Sequence, residues 1–236
     1  MARVRDRNER ETWPEELERT SRRRRHRRVH PLLRLLPLLL AFCLGLGVGW
    51  LLPRGQEGGA VLSLDGLFGG PTEPPEMPDW VTVDLIPVNE YSRPGIALER
   101  VNGIVVHYVG NPGTTAENNR NYFAGLAETG EAHVSSHFVI GLEGEIIQCV
   151  PLDEIAYCSN DRNYDTISIE CCHPDETGEF TEATYGALVR LTAFLSDYYG
   201  LGREEVLRHY DVTGKLCPMY FAEHEDAWQR FLDDVF

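Results

Sequence analysis

Five side chains of this 236-residue sequence are of types that could act together on a substrate: His107, Glu170, His209, Lys215 and Cys217. Two neutral imidazoles and a thiolate form a three-donor set that leaves the fourth position of a tetrahedral zinc ion to water. Such a centre keeps net positive charge, which suits it to polarising a carbonyl and acidifying water. The same residues also have ordinary readings. A His ending an apolar strand commonly hydrogen-bonds inside a core, a single Cys packs as a small hydrophobe, and His-x7-Cys specifies no metal by itself.

Glu170 lies in Ile167-Ser168-Ile169-Glu170-Cys171-Cys172. Alternation puts Ile167, Ile169 and Cys171 on one face of a strand, with Ser168, Glu170 and Cys172 on the other. A carboxylate among apolar neighbours holds its proton more tightly, which suits a base that later serves as an acid. An outward-facing acid on a half-buried strand reads equally well. Lys215 is the only lysine of the chain, two residues before Cys217, and all other basic residues are Arg. Its compact ammonium could donate to a developing oxyanion, or be one surface lysine among many acids.

These residues need a sheet to hold them. Gly103–Val109 is short, apolar and β-branched, as a buried strand should be. Thr115 caps a helix running to about Leu126. Strands over His137–Gly141 and Glu145–Val150 flank Leu142-Glu143-Gly144, a hairpin signal. Thr166–Cys172 is a further strand. Thr181 opens a helix with its apolar stripe at Leu188, Leu191, Leu195 and Tyr198, closed by Gly200. A short strand follows at Val206–His209, then an amphipathic helix over 223–235. Strands mixed with helices, one pair of them a hairpin, predict an α/β fold: a mixed β-sheet flanked by helices.

Charge divides the chain. Overall 22 basic residues face 37 acidic ones, but residues 1–54 hold 13 basic against 6 acidic, leaving 9 against 31 beyond them. So acidic a segment is a poor binder of phosphate, which excludes nucleic acid as its main partner. The 18 residues Leu35–Leu52 carry no charge, Arg34 and Arg54 bracket them, and as a helix they would span roughly 27 Å. A cleaved signal peptide is the rival reading, but the charged leader is long and no A-x-A-like site follows. The expected organisation is a basic cytoplasmic tail (1–30), a transmembrane signal anchor (31–53), a Gly/Pro-rich linker (54–79) and a folded domain (80–236). The positive-inside bias puts that domain on the outer face of the cell membrane. An oxidising exterior would permit Cys158 to pair with Cys171 or Cys172, though those two neighbours point to opposite faces.

Four segments, Gly103–Gly110, Ser135–Ile140, Thr166–Cys172 and Arg208–Pro218, occur in an order that resembles a known family. With Arg208-His209-Tyr210-Asp211-Val212-Thr213-Gly214-Lys215-Leu216-Cys217-Pro218 the most specific of them, residues 80–236 look like the type 2 N-acetylmuramoyl-L-alanine amidases. That family shares its fold with phage lysozyme-amidases and peptidoglycan recognition proteins. The resemblance implies zinc as cofactor, held by His107, His209 and Cys217, and peptidoglycan as substrate. It implies that Glu170 is the acid/base and that Lys215 assists the tetrahedral intermediate. Some relatives place a catalytic Tyr before the His of the Ser-His-Phe strand; this chain has Ser136 there, which shifts weight to Glu170. A non-catalytic wall-binding or sensing module on the same fold is the alternative, and relatives of that kind typically lack the Cys that stands here as Cys217. His137 is expected in the core or next to the ligands, His133 lining the substrate groove, and Asn118–Asn121 as a solvated helix face. His173 and His224 have no partner legible in the sequence.

Overall fold

The computed structural model describes residues 73–236. The tail, the apolar segment 31–53 and most of the 54–79 linker lie outside the described residues. Among the described residues no helix is long and apolar enough to cross a membrane.

Six strands form one sheet: β1 (Val81–Val83), β2 (Ile104–Tyr108), β3 (Phe138–Ile140), β4 (Ile146–Gln148), β5 (Ile167–Cys171) and β6 (Val206–Arg208). Their order is β1-β4-β3-β5-β2-β6. Only the β3–β4 hairpin is antiparallel. The other neighbouring pairs are parallel. The predicted mixed α/β sheet is therefore present, with β1 an additional edge strand that the sequence reading missed. Three residues with one buried side chain carry too little alternation to declare themselves.

Helix α1 (Ala116–Thr129) packs on β3 and β4, while α2 (Glu182–Tyr199) and α5 (Glu225–Val235) pack together on the opposite face. Both long helices start where the sequence announces it. The Thr115 and Thr181 side chains accept from the N–H groups of Asn118 and Thr184, at 3.1 and 3.0 Å. Both end on a left-handed glycine, Gly130 and Gly200. Beneath α2 and α5, Ile104, Val106, Ile167, Ile169, Leu188 and Leu191 are sealed from water. Beneath α1 lies a smaller cluster that includes Phe123, Val139 and Cys172. Cys171 and Cys172 thus face opposite layers, and the cysteines of the described residues are free thiols. No disulfide joins Cys158 to either of them.

Three details extend or correct these expectations. The stripe of α2 takes in Tyr199 as well as Tyr198, which packs partly buried against the core while its hydroxyl donates to the Glu73 carbonyl at 2.9 Å. The end of the expected linker is therefore seated on the domain, with Met77 packed against the core and Trp80 edge-on to Phe194. The terminal helix expected over 223–235 is α5. A short helix that the sequence reading missed, α4 (Met219–Glu223), precedes it, the two parted at His224, which leaves helical geometry at φ −123°, ψ 83°.

Candidate active site

Every expected site residue lies at the carboxyl ends of the central strands, where open α/β sheets hold their ligands. His107 is the penultimate residue of β2 and Glu170 of β5, and the two are register partners. Side chains at paired positions of adjacent parallel strands share a face, so both project to the side on which α1 lies. There α1 covers only β3 and β4. The β5–β2–β6 half is covered instead by residues 158–164 and by the segment that follows β6.

That segment explains the His-x7-Cys spacing. His209 opens a five-residue helix, α3 (His209–Thr213), closed by Gly214 at φ 78°. The chain then turns back, and the Tyr210 N–H donates to the Cys217 carbonyl at 2.8 Å. A side chain at position 214 would be strained in that left-handed turn. One donor atom from each of His107, His209 and Cys217 lies within 4.8 Å of the others, and all three residues are buried.

The donor set passes a geometric test for a metal. Cys217 Sγ is 3.7 Å from His107 Nδ1. Bond lengths of about 2.05 and 2.3 Å at a tetrahedral ion set the N···S edge at about 3.6 Å, so the two donors already stand at the right separation. The imidazoles are kept neutral, with lone pairs to give. Burial holds His107 well below the usual histidine range, aided by the charges of His209 and Lys215, and burial with Lys215 lowers His209. The Cys217 thiol is pushed up to about 12 by burial and the Glu170 charge, against a backbone hydrogen bond from Tyr108 and the Lys215 charge. A buried thiol of that kind becomes a thiolate only beside a cation.

Glu170 is pushed up to about 8 by burial, opposed by a Cys158 hydrogen bond and by Lys215. Part of the residue is still exposed, but its Oε2 is sealed and has no hydrogen-bond partner. A buried carboxylate oxygen without a donor is costly, and the residue is poised to hold a proton there. Lys215 is exposed, yet its charge reaches His107, His209, Glu170 and Cys217.

Other expected bystanders sort themselves. His137 is core: its Nε2 donates to the Glu154 carbonyl at 2.9 Å and its Nδ1 accepts from the Ser168 N–H at 3.0 Å. Ser136 gives its hydroxyl to the carbonyls of Phe138 and Ser168. His133 is exposed between the rings of Tyr91 and Tyr157. His173 has its ring nitrogens on the carbonyls of Asp175 and Val109, and His224 lies against Tyr220. The Asn118–Asn121 face is not simply solvated, since Asn119 is buried against Thr114, the Thr115 carbonyl and Cys172.

Sequence reasoning missed three contacts. Cys158 Sγ donates to Glu170 Oε1 at 3.5 Å, Ser159 Oγ is 3.0 Å from His107 Nε2, and Asn160 Oδ1 is 2.9 Å from His209 Nε2. Nothing in a polar loop roughly fifty residues from each histidine signals them.

Comparison with known proteins agrees with this geometry. The family profile described as N-acetylmuramoyl-L-alanine amidase matches residues 97–220. The chain is 36% identical over 169 residues to N-acetylmuramoyl-L-alanine amidase CwlL of Bacillus licheniformis, covering 66% of this chain and 46% of that protein. It is 31% identical over 173 residues to N-acetylmuramoyl-L-alanine amidase BlyA of Bacillus subtilis (strain 168), covering 64% and 45%. The chain thus spans less than half the length of these curated relatives. Among solved structures, the catalytic domain of XlyA superposes with a TM-score of 0.55 at 26% identity, covering 66% of this chain and 99% of that one. PlyL superposes at 0.57 and 25% identity, covering 66% and 96%.

Proposed function

The chain belongs to the N-acetylmuramoyl-L-alanine amidase family, and on that premise we propose that it hydrolyses the amide between the lactyl group of N-acetylmuramic acid and L-alanine in peptidoglycan. The observation that carries this reading is the convergence of His107, His209 and Cys217 beside a buried carboxylate oxygen that has no other partner. The ion these three residues would hold is zinc. When bound, zinc supplies a Lewis acid that polarises the scissile carbonyl and acidifies the attacking water.

The remaining work falls to the chain's own groups. Glu170, through its free Oε2, takes a proton from the attacking water and returns it to the departing amine of L-alanine. Its raised proton affinity suits both halves of that shuttle. Lys215 offers an ammonium to the oxyanion as the carbonyl becomes tetrahedral. Ser136 takes no part, because its hydroxyl is spent on two backbone carbonyls.

In this reading residues 31–53 anchor the protein in the cell membrane, with residues 1–30 cytoplasmic and the catalytic domain outside. The tether raises the local concentration of wall substrate for a domain whose acidity disfavours tight retention on an anionic wall. The alternative, a wall-binding or sensing module without catalysis, leaves a complete donor set and an acid/base with nothing to do. Mass analysis of soluble products from purified peptidoglycan separates the two. Free stem peptides beginning with L-alanine, lost on chelation and restored by zinc, are expected; unchanged peptidoglycan bound to the protein would overturn the hydrolase reading.

A further inference from the structure

Three consecutive residues, Cys158, Ser159 and Asn160, each touch a different residue of the site, on three separate elements. The loop that carries them is tightly held. Asn163 Oδ1 accepts from the N–H groups of both Cys158 and Ser159, at 3.0 and 2.6 Å. Thr166 Oγ1 donates to the Arg162 carbonyl at 2.7 Å, and Arg162 pairs with Asp165 at 2.7 Å. Asn160 stands at φ 55°, the one non-glycine residue with positive φ among the described residues. Asn tolerates that conformation better than most residues, and strain of this kind persists where surrounding structure demands it.

We infer that Cys158-Ser159-Asn160 is a positioning loop that fixes the aim of both imidazole ligands and the tautomer of His209, with Asn160 its principal member. An amide oxygen only accepts, so Asn160 Oδ1 requires the proton of His209 on Nε2 and leaves the Nδ1 lone pair for the ion. With the proton on Nδ1, His209 would present a donor to the metal position and could not ligate. Ser159 Oγ meets His107 Nε2 at 3.0 Å while Nδ1 faces the Cys217 sulfur; a hydroxyl can give or accept, so it holds the aim of this ring without dictating its tautomer. Partners of this kind on the far nitrogen of a ligating histidine hold the ring and raise its basicity. The third contact, Cys158 on Glu170, ties the acid/base to the same loop, so one short segment sets the relative placement of both ligands and the carboxylate.

The inference rests on the metal reading above, and its test separates the two. The full chain, in detergent solution, is titrated with zinc against a chromophoric chelator as wild type, Asn160→Gly, Asn160→Asp and Ser159→Ala. Wild type should bind one zinc; Asn160→Gly and Ser159→Ala should bind it about 10- to 100-fold more weakly. Asn160→Asp, which keeps an oxygen acceptor, should bind at least as tightly as wild type. In the zinc-free protein, nitrogen NMR of labelled histidines should find His209 protonated on Nε2 in wild type and divided between tautomers in Asn160→Gly. Glycine also suits the left-handed backbone at 160; should that variant still fail to fold, Ser159→Ala carries the same test at His107. Unweakened zinc binding in folded Asn160→Gly and Ser159→Ala, or an unchanged His209 tautomer in Asn160→Gly, would overturn the positioning role. Wild type that binds no zinc would overturn the metal reading itself, and the loop's role with it.

Discussion

The surroundings of His107 and of His137 hold two buried imidazoles in very different circumstances. The His137 ring is saturated, one nitrogen giving to a carbonyl and the other receiving from an amide. The His107 ring is satisfied on Nε2 only, and its Nδ1 faces a sulfur at 3.7 Å, too far for a strong hydrogen bond but right for a shared ion. Burial therefore does not distinguish a ligand from a structural histidine. A nitrogen left over after the hydrogen bonds are assigned does.

The largest expected effect breaks that contrast at its sharpest point. Cys217→Ala or His107→Ala should abolish zinc content and turnover together, whereas His137→Gln should keep both and lose stability. Metal analysis and muropeptide release, run on the same preparations, check this; an active, metal-free Cys217→Ala protein would remove the proposed centre. Next comes Glu170→Gln, which should keep its zinc and lose turnover by about 10²- to 10⁴-fold, the usual range for a general acid–base group. Wild-type rates in that variant would strike Glu170 from the mechanism.

The third effect is on stability. Burial lowers His137 to about 4, against a backbone hydrogen bond to Glu154 that pulls the other way. The folded state therefore binds this proton less tightly than the unfolded chain, whose ordinary value is about 6.5. The stabilisation is fully present above about pH 6.5 and is lost as pH falls through about 4, as much as about 3 kcal/mol in all. Denaturant unfolding of the zinc-loaded protein at a series of pH values should show His137→Gln flattening that acid limb by up to one proton. An identical slope in both proteins would show that His137 does not titrate there. The smallest effect is expected for Lys215→Ala, a loss of roughly tenfold in turnover with zinc retained, because an exposed ammonium is well screened. A loss of zinc in that variant would mean that Lys215 holds the ligand loop rather than serving the reaction.

Much of this was legible from residue types alone. Thr115, Thr181 and Gly200 announce helix ends because capping is local, and Ile104-Val105-Val106 announces a buried strand because its chemistry is complete within a few residues. The five site residues could be listed as candidates from their types, but each kept an ordinary reading until the family resemblance of Arg208–Pro218 gave them roles. Ser159 and Asn160 could not, since their meaning arises only when a loop meets histidines 52 and 49 residues away. The Tyr198 hydroxyl was unreadable for the same reason, its partner Glu73 being 125 residues distant.

That last contact has a practical corollary. The α2 N-terminus is pinned to Gly141 and Leu142, just past β3 at the level of the metal ligands, whereas Tyr198 lies one residue from the other end of the helix. Residue 73 therefore lies roughly 20 Å from the level of the candidate site, measured along α2. A label or resin attached at residue 73 leaves the opening between residues 158–164 and the Gly214 turn free.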